Sequence, residues 1–306
     1  MHNFTLFIFM MIFVVGISIS VEHSAFAVIS SYTLNSTVNY NVPTGPQGDI
    51  LEVISNTEGK TETQKIPVNT LLFNITPHFQ NNQLVSLSMA LKPSLSNLYN
   101  KTGLFYKPKD IVFVYPIFTQ AAYGNHGFYD YYNKKCDTSC LKVSIPTKIN
   151  GIYSSSIAGA MALRLLDYPH ITDVDIDKNP RILEQYDKVI VLHNEYVTQR
   201  EFDAITGHRH VMYLYPNSMY AQVTTDYTAN TITLVKGHGY TNKTISNGFG
   251  WKYDDSKYEY DTKCTSWNFF PAKNGVMLNC YPEYRMLYDA TLLQYLQLSD
   301  SKMMHK

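Results

Sequence analysis

The feature that most constrains the fold is the segment YDKVIVLHNEYV at residues 186–197. A strand predicted at Lys188 to Leu192 is apolar after its first residue, which is typical of a strand covered on both faces of a parallel sheet. His193 and Glu195 follow that strand directly, and an amphipathic helix is predicted to open at Thr198. Open α/β sheets bind ligands where strands end, so a histidine and a glutamate occupy a position where a site is expected.

Strands and helices alternate from Asp110 onward, which predicts an α/β domain with a doubly wound, mostly parallel sheet. The other predicted strands are Asp110–Ile117, Ile171–Ile176, His210–Tyr215 and Thr231–Val235. Helices are predicted at Ser154–Leu166, at Asn179–Tyr186, from Thr198 with Glu201 in a capping box, and at Ala290–Leu298. Residues 28–107 are predicted to be β-rich, with strands at Asp49–Ser55, Thr70–Ile75 and Leu84–Leu91.

Residues 1–27 are predicted to be an export signal, because the apolar run from Phe4 to Ser20 is followed by the small-x-small pattern of Ala25 and Ala27. The start of this segment carries no Lys or Arg, so an uncleaved membrane anchor is the alternative. Both interpretations place the rest of the chain outside the cytoplasm, secreted or anchored. The predicted organisation is a signal peptide (1–27), a β-rich segment (28–107) and an α/β domain (108–306).

The charge balance and the cysteines narrow the class of protein. Lys and Arg total 25, Asp and Glu total 25, and no basic cluster is present, which argues against nucleic acid as a partner. An even number of cysteines in an exported chain favours disulfides over metal thiolates. Sequence proximity favours Cys136 with Cys140 and Cys264 with Cys280, although three pairings are formally open. Asn-x-Ser/Thr sequons, which mark candidate glycosylation sites, begin at Asn35, Asn74, Asn100 and Asn242.

Common catalytic signatures are missing from the sequence. It contains no Gly-x-Ser-x-Gly nucleophile elbow, no phosphate-binding loop of the Gly-x-x-x-x-Gly-Lys type, no dinucleotide fingerprint and no His-Glu-x-x-His. The esterase, ATPase and dehydrogenase interpretations therefore have no support from motifs.

Polar residues follow three of the predicted strands. Tyr123 and Tyr129 follow the strand at 110–117, His193 and Glu195 follow the strand at 188–192, and Asn217 follows the strand at 210–215. Parallel strands present these loops at one edge of the sheet. The five side chains are therefore expected to converge in one crevice.

The segments PIFTQAAYGNHGFY, ITDVDIDKNPRILEQYDKVIVLHNEYVT and VMYLYPNSMYAQV, which lie between residues 111 and 223, resemble the large (β) subunit of N,N-dimethylformamidase and its relatives. That resemblance implies a core like a class I glutamine amidotransferase domain and a small amide as substrate. It also implies a mononuclear iron held by two tyrosinates and a glutamate. By motif, Tyr123 and Glu195 match ligands, while His193 and Asn217 match the polar residues beside them. Tyr129 matches the second tyrosinate more loosely, with two competitors, Tyr131 and Tyr132.

The chemistry that the resemblance implies is coherent. Phenolate and carboxylate oxygens are hard ligands that suit a ferric ion. A metal lowers the pKa of water, His193 would move the proton, and Asn217 would hold the carbonyl oxygen. The export signal and the resemblance together predict an exported metal-dependent hydrolase of a small amide, with iron as the metal that the resemblance implies, and its oligomeric state stays open.

Simpler interpretations remain open at each position. Tyr123 and Tyr129 could be packing residues in a chain with 25 tyrosines, and Glu195 could cap the following helix. Asp173 and Asp175 would share a strand face and could form an acid/base pair or a strand end meeting solvent. A zinc site could form from His208, His210 and His238. The alternative function is a non-catalytic surface module that keeps the fold.

Overall fold

The computed structural model describes residues 27–31, 36–41, 50–57, 60–80, 83–102, 110–149, 156–259, 261 and 267–296. The predicted signal peptide lies outside the described residues except for Ala27. Within these ranges, no helix is both long enough and apolar enough to cross a membrane.

The first part of the chain forms antiparallel strands. Four strands pair in chain order into one sheet: β1 (Ala27–Ser31), β2 (Ser36–Asn41), β3 (Ile50–Thr57) and β4 (Lys60–Pro67). A hairpin and a short helix follow: β5 (Phe73–Gln80), β6 (Gln83–Leu91) and α1 (Ser96–Thr102). The strands predicted at Asp49–Ser55 and Leu84–Leu91 are present with shifted ends, and the strand predicted from Thr70 begins at Phe73.

From residue 110 onward, strands and helices are mixed. In chain order they are β7 (Ile111–Tyr115), α2 (Ile117–Ala122), α3 (Phe128–Tyr132), β8 (Lys142–Ser144), α4 (Ile157–Leu165), β9 (His170–Thr172), α5 (Asp173–Lys178), β10 (Lys188–Val191), β11 (Tyr196–Thr198), α6 (Gln199–Gly207), β12 (Val211–Tyr213), β13 (Ala221–Asp226), β14 (Thr231–Lys236), β15 (Phe269–Ala272), β16 (Gly275–Leu278) and α7 (Ala290–Tyr295). Short 3₁₀ helices occupy Val68–Thr70, Pro93–Leu95, Thr138–Leu141, Pro180–Gln185, Ser256–Tyr258 and Glu283–Leu287.

A six-stranded sheet forms the centre of this α/β part. Its strands lie in the order β15, β16, β12, β10, β7, β9. Every neighbouring pair is parallel except β15 with β16. The prediction of an α/β fold with a mostly parallel sheet is therefore confirmed, whereas a doubly wound arrangement stays a prediction.

The central sheet is covered on both faces, because successive residues of each strand lie in different hydrophobic clusters. On β10, Ile190 belongs to the larger cluster, whereas Val189 and Val191 belong to the smaller one. All three are fully buried, as expected for a continuous apolar strand. Lys188 begins this strand and is buried, and its Nζ donates to the Leu296 carbonyl oxygen at 3.2 Å.

The prediction that Thr231–Val235 continues the central sheet was wrong. That strand is β14, and it lies in a second sheet with the order β11, β13, β14, β8. β14 is antiparallel to β13 and follows it through a short turn, so the stretch between β12 and β14 holds a strand instead of a crossover helix. Burial alternates along both strands, which is the pattern of a half-covered antiparallel hairpin.

The strand predicted at Ile171–Ile176 was also wrong in its second half. The strand ends at Thr172, and helix α5 begins at Asp173. A capping box explains the change: the Thr172 hydroxyl accepts from the Asp175 amide at 3.1 Å, and Asp175 Oδ2 accepts from the Thr172 amide at 2.9 Å. Asp173 and Asp175 therefore begin a helix and do not share a strand face.

Cys136 and Cys140 form a disulfide, as sequence proximity predicted. Cys280 is also disulfide-bonded, while Cys264, its predicted partner, lies outside the described residues. Of the sequon asparagines, Asn74 and Asn242 are exposed and Asn100 is half-buried. Asn35 lies outside the described residues, and glycosylation stays a prediction.

Candidate functional site

The five predicted site residues lie at one edge of the central sheet. Tyr123 and Tyr129 follow β7, His193 and Glu195 follow β10, and Asn217 follows β12, and these three strands are parallel neighbours. The side chains of Tyr123, His193, Glu195 and Asn217 are fully buried, and Tyr129 is half-buried. The convergence expected from the strand ends is therefore present in the structure.

Tyr129 connects the first of these loops to the second. Its hydroxyl lies 3.4 Å from the Tyr123 hydroxyl and 3.3 Å from Glu195 Oε1. The rings of the two tyrosines pack with centroids 4.7 Å apart. The Tyr129 hydroxyl therefore lies within hydrogen-bonding distance of two oxygen atoms, one from its own loop and one from the loop after β10.

A tight connection between α2 and α3 brings Tyr129 back toward Tyr123. A Cβ atom at Gly127 would lie only 2.3 Å from the Ala122 carbonyl oxygen and 2.5 Å from that of Gly124. Only glycine fits this approach, so the sequence Gly124-Asn-His-Gly127 permits a loop that a larger residue would open. The local requirement for Gly127 is therefore part of what positions the site.

The two competitors of Tyr129 point elsewhere. The Tyr131 ring packs against Tyr240 at 6.1 Å, and the Tyr132 ring packs against His238 at 5.3 Å. Burial raises the pKa of Tyr132, and the nearby Tyr196 hydroxyl acts in the opposite direction. Of the three tyrosines on α3, Tyr129 is the one whose hydroxyl contacts Glu195.

Burial dominates the electrostatics of Glu195. Desolvation raises the pKa of Glu195 well above its ordinary value, and the nearby Asn217 amide acts in the opposite direction. Glu195 Oε2 is buried and makes no hydrogen bond to any described residue. A buried carboxylate oxygen of this kind is costly unless a cation or a donor approaches it.

His193 stays neutral near pH 7. Burial lowers the pKa of His193 to about 3, and the charge of His238 acts in the same direction. Its Nε2 lies 3.9 Å from Glu195 Oε2. The His193 backbone amide donates to the Ser156 hydroxyl at 3.3 Å, and its ring packs edge-on against Tyr281. A neutral, oriented imidazole therefore lies beside the carboxylate.

Asn217 is held in a left-handed conformation with φ +62°. Its backbone amide donates to the buried carboxyl of Asp255, with an N–Oδ1 distance of 3.0 Å. The side-chain amide lies close enough to Glu195 to lower the pKa of Glu195. Neither Nδ2 nor Oδ1 of Asn217 makes a hydrogen bond to a described residue. Asn217 therefore presents an unused donor and acceptor beside Glu195.

His238, named from the sequence only in the zinc hypothesis, joins the same group. Its Nε2 contacts Glu195 Oε1. Burial lowers the pKa of His238 to about 4, while the Glu259 and Asp254 carboxylates act in the opposite direction. The two other histidines of the zinc hypothesis do not join it, because the His208 ring contacts the carbonyl oxygens of Tyr186 and His210, and His210 is exposed.

The site opens into a cleft of about 1270 Å³. Tyr129 and His238 line this cleft and also contact Glu195, so they stand between the buried carboxylate and the open space. The aromatic residues of the wall are Tyr131, Tyr132 and Tyr220, and its lysines are Lys134, Lys135, Lys243 and Lys257. Cys136, which the disulfide ties to Cys140, is part of the same wall.

The donor atoms around Glu195 fit a single metal ion. Two oxygen ligands at about 2.0–2.2 Å from one ion lie about 3.3–3.6 Å apart in a tetrahedral arrangement. The observed separations of 3.3 and 3.4 Å match that spacing. No group of three or more His, Cys, Asp or Glu side chains suited to a metal occurs in the described part of the chain, so the fit depends on the tyrosines.

Comparison with known proteins identifies one family. The model of a family described as "N,N-dimethylformamidase beta subunit-like, C-terminal" matches residues 92–268. No curated protein matches the chain. The matched range contains Tyr123, Tyr129, His193, Glu195 and Asn217, and it also contains His238.

Proposed function

Because the chain belongs to the N,N-dimethylformamidase β subunit-like family, we propose that it is a metal-dependent hydrolase that cleaves the C–N bond of a small amide. The observation that carries this proposal is the position of the Tyr129 hydroxyl, which lies 3.4 Å from the Tyr123 hydroxyl and 3.3 Å from Glu195 Oε1. Iron is the metal proposed, because phenolate and carboxylate oxygens suit a hard ferric ion. Tyr123, Tyr129 and Glu195 are its proposed ligands.

A ferric ion held there would supply Lewis acidity, polarising an amide carbonyl and lowering the pKa of water. Binding of a cation would also offset the unfavourable burial of the Glu195 carboxylate. Burial raises the pKa of Glu195, and a cation beside Oε2 would favour the charged carboxylate instead. The metal and the ionised form of Glu195 therefore stabilise each other.

His193 is the proposed proton carrier. Its imidazole is neutral near pH 7, and its Nε2 lies 3.9 Å from Glu195 Oε2, where it would accept a proton from the attacking water. The water oxygen bonds to the carbonyl carbon, the C–N bond breaks, and the proton passes from His193 to the departing amine nitrogen. The edge-on packing of His193 against Tyr281 restricts the ring during this exchange.

Asn217 is the proposed group that holds the substrate carbonyl. Its side-chain amide lies next to Glu195 and makes no hydrogen bond to a described residue. A donor fixed at the position where negative charge develops contributes about 10²–10³ in rate in acyl transfer. The fixed left-handed backbone of Asn217 and its hydrogen bond to Asp255 orient that donor in advance.

The substrate enters through the cleft. Its volume of about 1270 Å³ exceeds the range of about 300–1,000 Å³ typical of pockets for drug-sized ligands. We therefore propose that the amide carries a group that extends into the cleft beyond the bond that is cleaved. A screen should begin with short formamides and acetamides and continue with amides that bear aromatic or anionic substituents.

We also propose that the protein is exported, as the N-terminal sequence predicts. The disulfide of Cys136 with Cys140 and the bonded state of Cys280 support an oxidising compartment. N-terminal sequencing of protein recovered from its native host tests this directly. A mature chain that begins at Val28 is expected, and one that retains residues 1–27 contradicts cleavage.

The deciding experiment is metal analysis with a visible absorption spectrum on protein purified without chelator. We expect one iron per chain and a tyrosinate-to-iron charge-transfer band, which Glu195→Ala removes and which Tyr123→Phe weakens, because one tyrosinate remains. Tyr131→Phe is the matched control, because Tyr131 lies on the same helix and packs against Tyr240. A folded protein that stays colourless and metal-free after iron is added contradicts the hydrolase proposal and favours a non-catalytic module.

A further inference from the structure

His238 approaches Glu195 from the turn after β14. None of the five site residues predicted from the sequence lies in that part of the chain. Its Nε2 contacts Glu195 Oε1, the same oxygen atom that lies 3.3 Å from the Tyr129 hydroxyl. Tyr129 and His238, from two separate segments, therefore meet at one carboxylate oxygen of Glu195. The turn that carries His238 follows β14, in the second sheet.

The backbone at this turn is held in an uncommon conformation. Gly237, His238 and Gly239 all have positive φ angles, of 130°, 51° and 77°. A positive φ is uncommon for residues other than glycine, and strained positions of this kind cluster at functional sites. A Cβ at Gly237 would lie 2.8 Å from the Ala221 Cβ, so only glycine fits where the turn packs against β13.

Hydrogen bonds fix the turn in place. The His238 amide donates to the Ser246 carbonyl at 2.9 Å, and the Gly239 amide donates to the Ile245 carbonyl at 2.7 Å. The Gly237 amide also donates to the Tyr240 carbonyl at 2.8 Å. The position of the His238 Cα is therefore set by the loop at residues 245–246 as well as by the glycines.

Aromatic rings fix the direction of the imidazole. The His238 ring packs against those of Tyr220, Tyr132 and Tyr196, with centroid distances of 4.6, 5.3 and 5.6 Å. Its side chain is 21% exposed, and it lines the cleft. With the ring packed against these three tyrosines, Nε2 is aimed at Glu195 before any ligand arrives.

From this geometry we propose that His238 is a further protein ligand of the metal, so that the donor set is two tyrosines, one glutamate and one histidine. The inference rests on the proposed function, because it concerns the same metal. Imidazole nitrogen suits iron, and the Nε2 atom already contacts the carboxylate oxygen that lies 3.3 Å from the Tyr129 hydroxyl. His193, by contrast, lies 3.9 Å from the other oxygen of Glu195 and keeps its role as proton carrier.

The test compares ferric-ion affinity and pulsed EPR spectra of the wild type with those of His238→Asn. Asparagine is the substitution of choice because it tolerates the left-handed backbone. We expect the dissociation constant for iron to rise at least about tenfold, since loss of a residue that only hydrogen-bonds to a metal ligand already lowers metal affinity about 10–100-fold. We also expect the nitrogen modulation of the EPR signal to disappear. His126→Gln is the control, because the side chain of His126 is 83% exposed.

Two further variants separate ligation from a structural role. His193→Gln should keep the nitrogen modulation, which assigns the signal to His238. In His238→Ala, added imidazole should enter through the cleft and restore both the modulation and the affinity. A structural contribution of His238 would not respond to imidazole.

The outcomes separate this inference from the proposed function. Iron binding with unchanged affinity and nitrogen modulation in His238→Asn overturns ligation by His238 and leaves the tyrosine and glutamate site standing. A wild-type protein that binds no iron overturns both proposals. Reduced affinity without any change in nitrogen modulation also overturns ligation, because it assigns His238 the role of orienting Glu195.

Discussion

The Tyr129 hydroxyl lies 3.4 Å from the Tyr123 hydroxyl, although the two residues belong to different helical turns joined by a glycine-bounded loop. When both phenols are neutral, the hydroxyl of one donates a hydrogen bond to the other. Two phenolates at this distance would repel each other. A cation between them removes that repulsion. The relationship therefore favours the metal-bound form of the site.

Replacing Tyr129 with phenylalanine removes one hydroxyl and leaves the ring packing intact. We expect iron affinity to fall by about 100-fold or more. Loss of a residue that only hydrogen-bonds to a metal ligand already lowers metal affinity about 10–100-fold, and Tyr129 is a proposed ligand itself. The charge-transfer band should weaken and shift in wavelength, because one tyrosinate remains. Titration with iron in the presence of a competing chelator measures both effects, and an unchanged band in Tyr129→Phe assigns the second tyrosinate to another residue.

Asn217→Gly removes the side-chain amide at a position where φ is already +62°. We expect kcat on the best amide to fall about 10²–10³-fold, with iron affinity unchanged, because only the donor to the carbonyl oxygen is lost. Asn230→Gly is a matched control, because Asn230 has φ +52° and lies in the turn just before β14, outside the site. Equal losses of kcat in both variants would contradict a specific role for Asn217.

Glu201 makes a pH-dependent contribution to stability. Burial and the nearby Asp173 and Asp177 carboxylates raise the pKa of Glu201 well above its ordinary value. Between the unfolded pKa of about 4.3 and the raised folded value, the folded protein binds the extra proton, so stability falls as pH rises. Glu201→Gln removes this loss.

The measurement is urea unfolding of Glu201→Gln and wild type at a series of pH values above 4. The advantage of the variant should grow by about 1.4 kcal/mol per pH unit within that window. Glu184→Gln is the control, because the side chain of Glu184 is 64% exposed. An advantage that does not change with pH would mean that Glu201 holds no extra proton in the folded protein.

The Cys136–Cys140 disulfide closes a loop with a sequence separation of 4 in the wall of the cleft. The chain-entropy relation gives about 2 kcal/mol for a loop of this size. We expect Cys136→Ala with Cys140→Ala to lower the free energy of unfolding by that amount and to leave iron affinity unchanged. Urea unfolding checks the first expectation, and a large loss of iron affinity would show that the loop also positions Tyr129.

Local sequence signals located most of the elements but not all of their partners. The pattern at 231–235 correctly indicated a strand, yet its partners are β13 and β8, because pairing is decided by which neighbours cover its apolar face. The sequence pattern does not indicate the helix start at Asp173, because the capping box of Thr172 has Asp175 at the position where the usual pattern has Glu or Gln. Asp173 is instead a buried acceptor for the Phe118 amide at 2.7 Å.

The sequence by itself determined the buried central strand, the positions of His193 and Glu195 at its end, and the Thr198 cap of the next helix, because each depends on residues close together in the chain. Tertiary structure alone decided that Tyr129, not Tyr131 or Tyr132, contacts Glu195, and that His238 reaches it as well. Those contacts join residues far apart in the chain. They depend on how a second sheet and its glycine turn pack against the first, which no local pattern specifies.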